Sequence, residues 1–497
     1  MSAQKRVVYV VVDGMSTEAL ELVTASGRAP ALDFIKRHGS YVRDSVAVFP
    51  TITPAATASL VTGEIPAVHG IPGMCWYDRD ADRFVNYGQS PRAAVVEGFK
   101  QVVHDVLKNL NHRHLNPDIE TIHERLDRMG FTTASMNFMV FRGPYEHEVD
   151  KGVVKRALLR KAIPDRVRGP REHYFADIVS GPAEANPGIL NKRGAKARLA
   201  ASDEWAAAIT RELLEKEAAD MILFYLHEND HLSHDEGPAG QIDALSDADK
   251  NIAFVLDTYG SWEETLRHVG FVVTADHSQS PISDQDDHIC SLEEILGDFS
   301  QVRTKRGKER FGKCDVALAG NGRVGFIYLN EMRRETLLQP VIDTLAGHVA
   351  IDQVIWRDGD AYWVRSDRGT LRFWPSEGGG VVDERDQKWQ FEGDLAAVSG
   401  VVEENEIRTP EYPLAMWRIR SALDLDRVGD IVVTTKLTYE LTDLAGGDHR
   451  GGGDHASLHV QDSIVPFIST LAEPPLHPTT VDVVPHIVQH FERLRSG

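Results

Sequence analysis

Cysteine is scarce in this sequence. Only Cys75, Cys290 and Cys314 occur among 497 residues, widely spaced and with no CxxC pair. That pattern suggests neither a disulfide framework nor a thiolate zinc site. Long apolar runs are missing too. The N-terminal stretch MSAQKRVVYVVVDG holds a short one, Val7 to Val12, which stops at Asp13. It is too short for a signal-peptide core and far too short for a membrane span. A cytoplasmic location with no membrane partner is therefore expected. Positive charge is also in deficit: 54 basic residues face 75 acidic ones, for a formal net charge of −21. A duplex nucleic-acid binder needs the opposite footprint. No GxGxxG follows the first apolar run, which argues against a Rossmann-type oxidoreductase. No internal repeat or low-complexity tract stands out. An acidic chain can still accept a small anionic substrate where a bound metal ion supplies local positive charge.

What is present reads as an α/β protein. The hydrophobic share, 42%, is ordinarily globular. Val7–Val12, Met221–Leu226 and Phe271–Thr274 are continuously apolar, as buried parallel strands are. Each delivers polar residues at or just past its C-terminal end: Asp13, then His227 and Glu228, then Asp276 and His277. Ile464–Ile468 reads as a last strand, with Pro466 suited to an edge or strand end. Ser202–Ala218 and Asp247–Val269 read as helices, the first with a capped start. Strands alternating with helices predict a mostly parallel central sheet flanked by helices. Sites in such sheets form outside the carboxyl ends of the strands. The expected organisation is a discontinuous catalytic core over 1–77, 197–285 and 445–497. Two cap-like insertions interrupt it, a mostly helical or irregular one over 78–196 and a strand-rich one over 286–444. Gly446–Gly453 (GGDHRGGG) reads as a flexible loop.

Four segments carry candidate chemistry. In Phe49–Ile71 (FPTITPAATASLVTGEIPAVHGI), Thr53 precedes Pro54 and an alanine-rich run that ends at Gly63. This predicts a short helix with Thr53 as N-cap, Pro54 at its first position and glycine beyond its end. A hydroxyl there lies near free backbone N–H groups and the positive end of the helix dipole, a place suited to a phosphoryl group. Asp230 and His234, spaced i,i+4, project to one face of a helical turn and suit Zn²⁺ or Mn²⁺. Asp276-His277 follows a strongly apolar strand, where ionisable residues are costly unless partnered, and a metal is one such partner. His455 stands in Gly453-Asp454-His455, after the glycine-rich loop. Taken singly, each has a plainer reading: a helix cap, surface i,i+4 neighbours, a loop histidine. His227 and His231 read as neighbours that either face solvent or support the ligands from behind.

In this order and setting the segments resemble those of the nucleotide pyrophosphatase/phosphodiesterase family of the alkaline phosphatase superfamily. The resemblance is spread over nearly the whole chain. It implies an alkaline-phosphatase-like core and hydrolysis of a small-molecule phosphate ester, above all of phosphodiester or pyrophosphate bonds. It further implies a covalent phospho-threonine at Thr53 and two divalent ions, zinc by expectation, with Mn²⁺ or Fe²⁺ also compatible with Asp and His ligands. Asp230, His234 and His455 would hold one ion. Asp13, Asp276 and His277 would hold the other, which also contacts Thr53.

One position departs from the family. Its members usually carry an asparagine downstream of the nucleophile, whose amide binds a phosphoryl oxygen. At that spacing this chain has Met74. Methionine cannot donate that hydrogen bond, and loss of one such donor costs about 10²–10³ in rate unless something replaces it. Helix-start N–H groups or a residue from an insertion would be the substitutes. The preference for diester over monoester is thereby left open. Alternatives are a phosphomonoesterase or phosphonate hydrolase of the same superfamily, with Arg43, Arg79 and Arg83 as nearby cations, and a catalytically inactive metal-binding homologue. A sulfatase is disfavoured, since no cysteine sits in Cys-x-Pro-x-Arg.

Overall fold

The computed structural model describes residues 5–151, 163–176, 178–182, 202–302, 311–443 and 446–496. Seven strands build the central sheet: β1 (Arg6–Val12), β2 (Ser40–Val46), β3 (Thr133–Met136), β4 (Glu172–Tyr174), β5 (Met221–Leu226), β6 (Val269–Thr274) and β7 (Ile464–Ser469). Their spatial order is β2-β7-β6-β1-β5-β3-β4. The block from β6 to β4 is parallel throughout, and β7 runs antiparallel to both of its neighbours. The mostly parallel sheet expected from the apolar runs is present.

Both faces of β1 are covered, which is why it reads as an unbroken apolar run. Val8, Val10 and Val12 pack with Trp205, Ile209, Leu245 and Ile252. These come from helices α2 (Asp203–Glu215) and α4 (Gln241–Leu256). Val7, Tyr9 and Val11 face the other way, into a core that also takes Ala55, Phe326 and Ile487. Phe326 belongs to a ten-stranded sheet drawn from Val316–Thr435, within the segment expected to be strand-rich. The segment 78–196 contributes more than irregular and helical structure, because β3 and β4 complete the central sheet from inside it. The expected boundaries at 196/197 and 444/445 lie outside the described residues.

Three local readings are corrected. Pro466 is not at an edge: β7 lies between β2 and β6. The ladder with β2 shifts register between Val42 and Ser45, opposite Pro466, so its missing N–H interrupts a bulge and not a regular pair. The helix read over Asp247–Val269 is two, Gln241–Leu256 and Trp262–His268, parted at Gly260 with φ 91°. Ser202 does cap α2, accepting from Trp205 N–H. Among the described residues no helix is long and apolar enough to cross a membrane. The three cysteines are buried and none forms a disulfide.

Candidate two-metal active site

Adjacent parallel strands end level: Val12 lies opposite Leu226, and Val11 opposite Thr274. Whatever follows each strand therefore meets at one edge of the sheet. Asp13 follows β1. After β5 comes helix α3 (Glu228–Glu236), carrying Asp230 and His234 on one face as their spacing predicted. Asp276 and His277 follow β6. Gly14 is required beside them, since its backbone is left-handed (φ 68°) and a Cβ there would lie 2.9 Å from Asp230 Oδ1.

The fourth element is helix α1 (Thr53–Thr62), closed by Gly63 in the left-handed conformation. Its cap differs from expectation. Ile52 is the N-cap and makes no side-chain cap bond, while Thr53 already has helical geometry. The Thr53 hydroxyl is thus not spent on capping. It lies 3.2 Å from His277 Nε2. Thr53 is 8% exposed, at the floor of the site.

All seven residues singled out in the sequence converge here. His234 Nε2 is 3.4 Å from Asp230 Oδ2, and His455 Nε2 is 3.8 Å from Asp230 Oδ1. His277 Nε2 is 3.5 Å from Asp13 Oδ1 and 3.4 Å from Asp276 Oδ2. Metal ligands about 2.1 Å from a shared ion stand about 3.0–3.8 Å apart. Three-residue groups with metal-ligand spacing include Asp13, Asp276 and His277; Asp230, His277 and His455; and His234, Asp454 and His455.

The rest of the chemistry fits divalent ions. Each histidine turns Nδ1 to a backbone carbonyl: His234 to Gly453 at 2.8 Å, His455 to Thr51 at 2.7 Å, His277 to Ser278 at 3.3 Å. A carbonyl can only accept, so in the neutral rings Nδ1 carries the proton and Nε2 offers its lone pair toward the carboxylates. Asp13 Oδ1 and Asp276 Oδ2 are buried without a hydrogen-bond partner. Burial, followed by the charges of Asp276 and Asp230, raises Asp13 well above the usual carboxylate range. Asp276 is likewise raised, chiefly by burial. Burial opposes charge on Asp230 and His234 as well. Even so, their mutual attraction lowers Asp230 and pushes His234 up to about 10. The cluster calls for positive charge between the rings and the carboxylates.

A cavity of about 740 Å³ opens over this floor, lined by Asp13, Thr53, Asp230, Tyr225 and the apolar Val106, Met139, Phe175 and Leu232. His227 and His231 line it too, and His227 is tied to Asp203 at 3.0 Å instead of facing solvent alone. Asn137, just past β3, is a lining residue that sequence reasoning missed. Its Oδ1 accepts from Ala176 N–H at 2.9 Å, which fixes the amide orientation. Its Nδ2 is buried and unpartnered. The available signal was a polar residue directly after an apolar strand, obscured because that strand is only four residues long. Met74 instead packs against the hydrophobic core. The three candidate arginines are engaged elsewhere: Arg43 with Glu21, Arg79 with Asp430, Arg83 with Asp105.

The family model for type I phosphodiesterase/nucleotide pyrophosphatase matches residues 7–458. The chain belongs to this family. As a type I phosphodiesterase/nucleotide pyrophosphatase family member it is a phosphoric ester hydrolase by class, and no curated protein matches its sequence. Its fold is shared with murine ectonucleotide pyrophosphatase/phosphodiesterase 5, at TM-score 0.56 and 15% identity over 98% of this chain and 95% of that one. Phosphonoacetate hydrolase from Sinorhizobium meliloti 1021, solved with phosphonoacetate, is similar at TM-score 0.58 and 17% identity, covering 98% and 96%. An inactive form of the murine protein was solved with AMP, at TM-score 0.55 and 15% identity over 98% and 95%.

Proposed function

We propose that this family member hydrolyses phosphodiester or pyrophosphate bonds of a small-molecule substrate by way of a phospho-threonine at Thr53. The observation carrying this reading is the Thr53 hydroxyl at a helix start, free of any capping role, 3.2 Å from His277 of the group Asp13, Asp276 and His277 and lining one cavity with Asp230. Asp13, Asp276 and His277 would hold one divalent ion and Asp230, His234 and His455 the other. Zinc matches this donor set, and Mn²⁺ or Fe²⁺ share it. When bound, such ions neutralise buried carboxylates, lower the pKa of a nearby hydroxyl and polarise phosphoryl oxygens.

The chain's own groups supply the rest. Thr53 Oγ1 bonds to phosphorus as the leaving-group oxygen departs with the hydroxyl proton, and water then cleaves the resulting phosphoryl-ester of Thr53, which releases the phosphate monoester and restores the hydroxyl. Asn137 Nδ2 donates to a non-bridging phosphoryl oxygen, the part that Met74 cannot play. The apolar wall of Val106, Met139, Phe175 and Leu232 receives the organic group. No lysine or arginine lines the cavity among the described residues. That favours a singly charged diester over a dianionic monoester or a phosphonate bearing a second acid.

The test compares a nitrophenyl phosphodiester, the matching monoester and phosphonoacetate on zinc-reconstituted protein, with Thr53→Ala as control. Diester turnover lost in the control, together with an adduct on Thr53 carrying the phosphoryl group and its remaining ester by mass spectrometry, is the expected result. Thr53-dependent preference for monoester or phosphonoacetate would move the enzyme to that branch. Activity that survives the substitution would sink the nucleophile, and metal uptake without any turnover would make the chain a binding homologue.

A further inference from the structure

A second cluster of ligand-type side chains lies behind His234, joined to the groups above only through Asp454, which also stands at ligand spacing from His234 and His455. Glu440, at the start of a short strand (Glu440–Thr442), is 1% exposed, and Asp454 is 3% exposed. Two imidazoles face them: His449, whose Nδ1 lies 2.8 Å from Glu440 Oε1 and 3.9 Å from Asp454 Oδ1, and His234, which has a ring nitrogen within 4.8 Å of an Asp454 oxygen. His234 is already engaged by Asp230 at 3.4 Å, so the two buried carboxylates are served chiefly by the His449 ring, an arrangement that is costly unless further positive charge is supplied. Asp454 Oδ2 is buried with no hydrogen-bond partner. It cannot swing away easily. The backbone of Asp454 pairs with Ser280, and its carboxylate lies against Gly322, where a Cβ would come within 2.3 Å of Oδ2. The ligand atoms of Glu440, His449 and Asp454 all fall within 4.8 Å of one another.

We infer that Glu440, His449 and Asp454 form a third divalent-cation site beside the two-metal centre. Two carboxylates and one imidazole suit Mn²⁺ or Zn²⁺, and a divalent charge would balance Glu440 and Asp454 while His449 stays neutral. Bond lengths near 2.1 Å place such ligands about 3.0–3.8 Å apart, close to the spacings already present. The site has a structural consequence for the loop. His449 stacks on His234 with ring centroids 4.1 Å apart, and Asp454 directly precedes His455. A cation here would tie the glycine-rich loop to the back of the catalytic floor.

Metal content decides the matter, independently of which ester is cleaved. Full-length protein is loaded with excess zinc or manganese, desalted and measured by elemental mass spectrometry, alongside His449→Gln and Glu440→Gln. His449 is one-third exposed on a loop, so its variant keeps the fold even if Glu440→Gln does not. The expected result is three ions per chain in the parent and two in His449→Gln. Two ions in the parent, lost on Asp230→Asn or Asp276→Asn but not on His449→Gln, would overturn the third site and leave the two-metal centre standing. Three ions in both parent and His449→Gln would place the extra ion elsewhere and overturn it equally.

Discussion

At the scale of single residues, the decisive features are donors and acceptors whose partners are fixed on one side only. Asn137 is one. Its left-handed backbone (φ 57°) is tolerated by asparagine and aspartate better than by most residues, so Asn137→Asp keeps the turn and still accepts from Ala176 N–H. It replaces the free donor with an oxygen. If Nδ2 holds a phosphoryl oxygen, kcat falls by about 10²–10³ while the melting temperature stays close to that of the parent; an unchanged kcat would remove Asn137 from the mechanism. His69 is a structural counterpart. Its Nδ1 accepts from Ile71 N–H at 3.1 Å, so Nε2 carries the proton toward Ser59 Oγ on α1, also at 3.1 Å. Burial lowers its pKa to about 3. A histidine neutral in the folded state and titrating near 6.5 when unfolded gives stability that is full above pH 6.5 and declines as pH drops toward 3. Denaturant titrations of His69→Asn over that range should show a stability slope shallower by about one proton. An identical slope would mean that His69 already ionises in the fold.

At the scale of elements, legibility followed the balance between local and tertiary causes. β1, β5 and β6 were readable because strands buried on both faces need unbroken apolar runs, and their polar successors marked the site. β2 (SYVRDSV) was not, being an edge strand with only its last two residues buried. Nor were β3 and β4, at four and three residues, with Glu172 and His173 buried by context alone. The i,i+4 pair on α3 was legible from spacing, but what holds α3 in place was not. Asp203, at the start of α2, accepts His227 N–H at 3.0 Å and Glu228 N–H at 3.4 Å and also meets the His227 ring. It thereby fixes the entry to the helix carrying Asp230 and His234. Asp203→Ala leaves those N–H groups without their acceptor and should cost about 1–3 kcal/mol of stability. If Asp203 orients α3, metal affinity weakens alongside it, whereas Asp203→Asn retains most of both. Calorimetric zinc titration reads the difference, and unchanged affinity in Asp203→Ala would show that α3 is held by packing alone.

At the scale of the whole molecule, the site gathers residues from both ends of the chain. Asp13 and Thr53 come early, Asp230 to His277 from the middle, and His455 late. Three carboxylates, the buried Asp13 and Asp276 and the half-buried Asp230, repel one another unless cations lie between them, and burial already raises the first two. Ions that bind only the folded chain stabilise it by RT ln(1 + [L]/Kd), so at 100 times Kd each site adds about 2.7 kcal/mol. Dialysis against a chelator should therefore abolish hydrolysis and lower the melting temperature together, and stepwise zinc addition should restore both with the same midpoint. The loop Gly446–Gly453 leads directly into Asp454 and His455, so it is the segment most loosened by metal loss. Limited proteolysis should cut there faster in the stripped protein and be slowed by zinc. A chelated protein with an unchanged melting curve and the same cleavage rate would mean that the carboxylates are neutralised by protons, and that this centre is built without the ions its geometry invites.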